Sequence, residues 1–336
     1  MNNIVSILKE KEVTVNDAPC VIGRNYFKPF KYPQAWEMAV KHEQVHWLPT
    51  EVSLNSDVAD WSHNLTKDEK EMLTQLFRFF TQADVDVLQG YAGKFLPLFW
   101  RTPELSAVLS SIASREMVHV WAYSHLLETV GFPETEYKAF LDYEAMAEKE
   151  EFVTSHNCDT PENVAKTLAV YGAFTEGLQL FSSFAILMNF PRFNKMKGMG
   201  KIVEWSIRDE NIHVELMTTL YKIWMDENPQ IDKDKLEEEI IEICKKMVTL
   251  EDAFIDLAFG VGEIEGLTKE DTKLYIRNIA DIRLGQLGIA PIFNADNPLS
   301  EWLDIMIYGS NKTNFFENRV TEYSRGTLVL DDISWD

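Results

Sequence analysis

Glu116-Met-Val-His119-Val-Trp-Ala-Tyr123 and Arg208-Asp209-Glu210-Asn-Ile-His213 are the two stretches whose reading decides the fold. Each places a glutamate three residues before a histidine. On an α-helix, residues i and i+3 share a face, so the two side chains can close on one ion. The chain has 7 histidines, and with glutamate at about one position in ten, roughly 0.7 such pairs are expected by chance. Three occur. The third, Glu43–His46, lies just before Pro49 at the expected end of a helix, has no carboxylate to match it, and is read as the chance member. The other two sit inside long, largely apolar helical patterns.

Each of these two has an acid upstream at a comparable distance. Asp84 precedes Glu116 by 32 residues, and Glu176 precedes Glu210 by 34. Both spacings suit an antiparallel helix pair. One carboxylate from each of two helices, and Glu-x-x-His from each of two more, is the ligand set of a dimetal-carboxylate four-helix bundle. The 57 residues from His119 to Glu176 leave room for the long crossover of ferritin-like connectivity. Buried acids and histidines satisfied only by hydrogen bonds are the alternative, but four buried carboxylates without a cation would be very costly. Four carboxylates and two neutral imidazoles form a hard, oxygen-rich set that suits iron or manganese better than zinc or copper. Their four negative charges balance two divalent ions.

The rest of the chain agrees with an all-α fold. Thr66-Lys-Asp-Glu69 is a capping box opening a helix to about Lys94. Thr102-Pro103-Glu104 opens a second, ending near Gly131, and Thr160-Pro161-Glu162 a third that Pro191 should stop near Asn189. Further helical patterns cover Lys195 to Trp224, Lys233 to Gly260, and a segment opened by Thr268 that should end before Gly285. No linker divides the chain, so residues 1–320 are read as one domain: a four-helix core with additional helices. Residues 321–336 lack helical patterning, yet Leu328, Val329, Leu330, Ile333 and Trp335 are poorly explained as a solvated end. A flexible tail that docks on a partner is expected.

Composition narrows the function. The 336 residues carry 32 basic and 54 acidic side chains, a formal charge of −22, which repels phosphate backbones and argues against direct nucleic-acid binding. Cys20, Cys158 and Cys244 are odd in number and widely spaced, which argues against a disulfide framework and for a reducing, cytoplasmic setting. Apolar runs are broken by charges well before the ~18 residues a membrane span needs, and the N-terminus has no signal-peptide pattern.

With these motifs the sequence resembles the small subunit of class I ribonucleotide reductase over roughly residues 30–325. The resemblance is carried by Phe79-Phe80-Thr-Gln-Ala-Asp84, Glu116-Met-Val-His119-Val-Trp-Ala-Tyr123, Glu176 and Arg208-Asp209-Glu210-Asn-Ile-His213. It implies Asp84, Glu116 and His119 at one ion, and Glu176, Glu210 and His213 at the other. Asp86 rivals Asp84, but the Phe-Phe pair favours Asp84. The resemblance also implies that Tyr123 is oxidised to a stable radical in a pocket that Leu180 and Phe184 help to line. Ser206, one turn before Glu210, departs from the apolar residue expected there and leaves room for a different metal or a hydrogen-bonded tyrosine. Trp47 matches the tryptophan of the radical-transfer path, Asp209 the aspartate joining it to His119, and Tyr323 the tyrosine that passes the radical between subunits.

The implied function follows. A dinuclear centre of iron, or alternatively of manganese or a mixed Mn/Fe pair, uses an oxygen species to generate the Tyr123 radical. A separate large subunit draws on that radical to convert ribonucleotides to deoxyribonucleotides, while the small subunit forms a homodimer. Two rivals share the fold: a dimetal oxidase or oxygenase acting on its own substrate, and an iron-storage protein. Tyr123, Trp47, Asp209 and the aliphatic tail speak against the first, and the length of the chain and its tail against the second.

Overall fold

The computed structural model describes residues 26–307, which contain eleven α-helices; besides the short Leu96–Phe99, ten build the fold. They are α1 Pro33–Gln44, α2 Asn55–Ala59, α3 Lys67–Gly90, α4 Pro103–Val130, α5 Glu144–Thr154, α6 Pro161–Leu168, α7 Phe181–Arg192, α8 Lys197–Glu227, α9 Lys233–Phe259 and α10 Lys269–Leu287. An isolated bridge between Ile264 and Leu267 is the only β pairing among the described residues. Tyr323, Cys20 and the expected tail lie outside them.

Local chemistry explains the starts of four helices. Thr66 Oγ1 accepts from Glu69 N at 3.2 Å while Glu69 Oε2 accepts from Thr66 N at 2.8 Å, the expected capping box. Thr160, Asp232 and Thr268 likewise cap α6, α9 and α10 through backbone N–H groups three residues on. Thr102 does not cap α4 with its side chain. There Glu104 turns away to accept from the backbone N–H groups of Lys31 and Tyr32, at 2.9 and 3.1 Å, which ties the chain before α1 to the α4 start.

Two helix ends differ from expectation. Pro191 lies inside α7, which continues to Arg192. One extra turn is tolerated because a proline disturbs the ladder N-terminal to itself and leaves the residues after it free to remain helical. Gly285 likewise lies within α10, and Gly288, in the left-handed conformation (φ +87°), closes the helix instead.

The long helical pattern after Thr160 also departs from a single α-helix. Between α6 and α7 the backbone widens into a π-helical segment, Ala169–Gln179, buried at every position. Because every side chain there faces protein, hydrophobic periodicity carries no phase that could reveal the change of register.

The core is a closed ring of four packed walls: α3 against α4, α4 against α8, α8 against the π segment, and the π segment against α3. Outside it, α9 and α10 cover the π segment, and α1 lies over α4 and α8. The start of α8 has no cap of its own, since Met196 there takes φ +51°. Buried acids from α2 and the turn after it supply one. Asp57 accepts from Gly198 N at 2.9 Å and Met199 N at 2.7 Å, and Asp60 accepts from Met196 N at 2.8 Å. Carboxylates at a helix N-terminus contribute roughly 1 kcal/mol each, and these also fix the axial position of the helix that carries Asp209, Glu210 and His213.

Candidate metal centre

Each wall of the ring delivers ligating side chains to one level. Asp84 comes from α3, Glu116 and His119 from α4, Glu176 from the π segment, and Glu210 and His213 from α8; all six are at most 1% exposed. Their ligating atoms form two groups with members within 4.8 Å of one another: Asp84, Glu116 and His119, and Glu116, Glu176, Glu210 and His213. Glu116 belongs to both, so its carboxylate can bridge two ions. Glu210 also reaches across, with Oε1 at 3.1 Å from His119 Nδ1. Asp86 points elsewhere and accepts from Gln82 at 2.7 Å. Glu43 and His46 are exposed and join neither group.

The donor set fits a pair of cations on structural grounds. Asp84 Oδ2 is buried without a hydrogen-bond partner, and Glu116 Oε1 and His119 Nδ1 lie close to other ligand atoms without hydrogen-bond geometry. His213 Nδ1 sits 2.8 Å from Glu116 Oε1, 3.1 Å from Glu210 Oε2 and 3.4 Å from Glu176 Oε2. Lone pairs of buried side chains converge here. Burial, with neighbouring carboxylates adding to it, pushes Asp84 and Glu176 well above the ordinary carboxylate range. Burial opposes charging of His119 and His213, but the surrounding carboxylates prevail and raise both. Without metal the site therefore holds protons. These residues would hold two cations in place of the protons, and the hard donor set suits Fe or Mn.

Asp209 joins the centre to a tryptophan. Its Oδ2 accepts from Trp47 Nε1 at 2.7 Å and lies 3.3 Å from His119 Nε2. Arg115 donates to Oδ2 at 2.9 Å, and Arg208 donates to Oδ1 at 3.1 and 3.2 Å. Burial alone would raise this carboxyl; the hydrogen bond with His119 and the two guanidinium charges hold it well below the usual range. Trp47 is buried and stacks on His119 with ring centres 6.0 Å apart.

Tyr123, four residues after His119 on α4, is buried against Phe80 at 4.8 Å between ring centres, and Phe80 in turn packs on Phe184 at 5.5 Å. Leu180 is buried as well. The Tyr123 hydroxyl donates to Ser206 Oγ at 3.3 Å, so the polar residue at position 206 serves the tyrosine. Burial, reinforced by Asp84, raises the phenol further and keeps it protonated.

Three residues of the site were not anticipated from sequence. Tyr91, two turns after Asp84, donates its hydroxyl to Glu176. Arg115, adjacent to Glu116, is buried on Asp209. His42 is buried beside His213, ring centres 5.0 Å apart and nearly perpendicular; burial, with the nearby His213 and Arg115, pushes it down to about 2 and keeps it neutral. The spacing of Ala35, Ala39 and His42, all buried, marks the inward face of α1 and is the signal that could have found it.

Comparison with known proteins agrees with this geometry. Residues 24–298 match the family model "Ribonucleotide reductase, small chain". A probable ribonucleoside-diphosphate reductase small subunit of Invertebrate iridescent virus 6 is 43% identical, covering 90% of this chain and 94% of its own. The ribonucleoside-diphosphate reductase subunit beta of Chlamydia pneumoniae is 31% identical, with 93% and 92% covered. Among solved structures, the ribonucleotide reductase R2 subunit from Clostridium botulinum superposes with a TM-score of 0.76 at 25% identity, covering 85% of this chain and 92% of its own. Fold, buried ligand cluster and relatives converge, and the chain belongs to the ribonucleotide reductase small-subunit family, the oxidoreductase component that carries a dinuclear metal centre.

Proposed function

We propose that this chain generates and stores a radical on Tyr123 and passes the oxidising equivalent to a large subunit that makes deoxyribonucleotides. The observation that carries the proposal is the continuous arrangement of Tyr123, six converging ligands and the Asp209–Trp47 pair. Asp84, Glu116 and His119 would hold one ion, and Glu176, Glu210 and His213 the other, with Glu116 reaching both. When bound, the ions supply the oxidising chemistry by which an oxygen species removes one electron from a phenol. The oxygen-rich donor set supports iron or manganese; we assign iron first, with manganese or a mixed pair as alternatives, and metal analysis of protein purified from its native host discriminates among them.

The residues divide the remaining work. Tyr123 loses one electron and its hydroxyl proton, while Phe80 and Phe184 exclude water and Ser206 holds the oxygen. Asp209, kept ionised by Arg115 and Arg208, bonds to Trp47 and His119 together, so Trp47 is the exit for the oxidising equivalent. Beyond Trp47 we assign Tyr323 to the transfer between subunits and residues 321–336 to docking on the large subunit. A homodimer is supported by exposed apolar side chains on α4, where Met117 and Trp121 are 52% and 40% exposed. The unpaired Cys158 and Cys244 support a cytoplasmic setting. No helix among the described residues is long and apolar enough to cross a membrane.

Tyr123→Phe tests the central role. The variant is expected to bind two metals per chain, to show no organic radical by EPR after oxygen exposure, and to support no turnover with the large subunit. Full turnover would mean that the oxidant is stored elsewhere.

A further inference from the structure

The environment of His42 points to a role toward the metal centre. Its Nδ1 lies 2.6 Å from Ser111 Oγ, and Ser111 Oγ donates to Glu43 Oε1 at 2.8 Å. A carboxylate only accepts, so the serine proton goes to Glu43 and the serine oxygen is left to accept from His42. The hydrogen on neutral His42 is therefore on Nδ1, and its Nε2 is a bare acceptor. That acceptor is buried without a partner.

His213 presents the complement. Its Nδ1 faces Glu116, Glu210 and Glu176 at 2.8 to 3.4 Å, so a metal-bound ring carries its hydrogen on Nε2. That nitrogen, too, is buried without a partner. The ring centres are 5.0 Å apart at an interplanar angle of 87°. An N–H···N bond between two imidazoles spans this distance: about 3 Å between nitrogens and roughly 1 Å from each nitrogen to its ring centre. The two nitrogens are not hydrogen-bonded in the described ring orientations, but an unsatisfied donor and an unsatisfied acceptor on neighbouring buried rings can satisfy each other by a small turn of either ring, as when His213 is drawn onto an ion.

We infer that His42 is a positioning residue for the metal centre, accepting a hydrogen bond from His213 Nε2–H and so holding Nδ1 of that ring on its ion. Ser111 and Glu43 fix the tautomer of His42 that makes this work. A ligand imidazole whose second nitrogen is held by a partner is oriented and made more basic, and loss of such a partner typically costs 10- to 100-fold in metal affinity. The inference rests on the proposed metal site.

Two substitutions separate a hydrogen bond from ring packing. His42→Phe keeps a flat ring against His213 but has no acceptor; His42→Gln restores an acceptor. Anaerobic Fe(II) and Mn(II) titrations followed by calorimetry are expected to show the weaker-binding ion about tenfold or more weaker in His42→Phe and recovered in His42→Gln. In Zn(II)-loaded, 15N-histidine-labelled protein, a slowly exchanging Nε2–H signal of His213 should be present in the parent and in His42→Gln, and absent or fast-exchanging in His42→Phe. Parent-like affinity and an unchanged Nε2–H signal in His42→Phe would overturn the inference and leave the metal site standing. A parent protein that takes up fewer than two ions would instead overturn the metal site itself.

Discussion

At the residue scale, Glu116 distinguishes this site from two independent ones. Its oxygens belong to both ligand groups, whereas His213 belongs to one. Glu116→Ala is expected to abolish uptake of both ions, while His213→Ala should lose stoichiometric loading by releasing at least its own ion; elemental analysis after gel filtration reads both. Retention of two ions by either variant would remove that residue from the ligand set. The two Glu-x-x-His pairs and Asp84 were legible because a helix repeats its face every three to four residues and a metal needs several donors there. Arg115, Tyr91 and His42 were not, since a residue that holds a ligand in place has no required spacing from it and is found only when the chain is folded. Glu43 and His46 stand outside both ligand groups, yet the buried histidine of α1, His42, lies one position before that pair.

At the element scale, the widened segment Ala169–Gln179 must be held from outside, since its wide ladder is intrinsically poor. Part of that hold is a fully buried ion pair: Lys149 of α5 donates to Glu251 of α9 at 2.7 Å and to the Gln179 carbonyl at 3.3 Å, and lies over the rings of Phe79 and Phe254 at 3.9 and 4.2 Å. Ser182 donates to the other oxygen of Glu251. Burial lowers Lys149 and raises Glu251, each partner offsetting the effect on the other. Lys149→Met strands a buried carboxylate and should destabilise the chain by about 3–5 kcal/mol, measured by urea unfolding. Adding Glu251→Leu should recover most of that loss, and a single variant as stable as the parent would show that the pair holds nothing. Helix existence and several starts were readable from caps, whereas the π register and the true ends of α7 and α10 were set by packing that no local pattern encodes.

At the scale of the whole molecule, the metal centre links stability to pH. In the metal-free fold Asp84, Glu176, His119 and His213 all have raised pKa values, from ordinary values of 3.8, 4.5, 6.5 and 6.5. A group raised in the folded state binds more protons there than when unfolded, so its contribution is complete below the ordinary value and is lost as pH rises through the folded one. Asp209 and Glu210 are lowered and act in the opposite sense, but only in acid below about pH 4. Metal-free protein should therefore lose thermal stability as pH rises above the ordinary carboxylate and histidine values, while metal-loaded protein, with ions in place of those protons, should lose less. The gap between the two melting temperatures is expected to widen as pH rises, and a constant gap would contradict the protonated cluster. Assembly belongs to the same scale. A peptide of residues 324–336, carrying Leu328, Leu330, Ile333 and Trp335, should compete with the full chain for the large subunit, and truncation after Tyr323 should end turnover while two ions and the radical remain. Undiminished turnover by the truncated chain would remove the tail from docking.

The π segment also bears on how such a site can change over generations. A helix becomes π-helical where it holds one residue more than its fixed ends allow, and here caps and neighbouring helices fix both ends around Glu176. Gain or loss of a single codon within Ala169–Gln179 would turn a different side chain toward the ions while leaving α6, α7 and the walls around them in place. Substitution can only exchange the residue at a given corner of this site; insertion and deletion can rotate the corner itself.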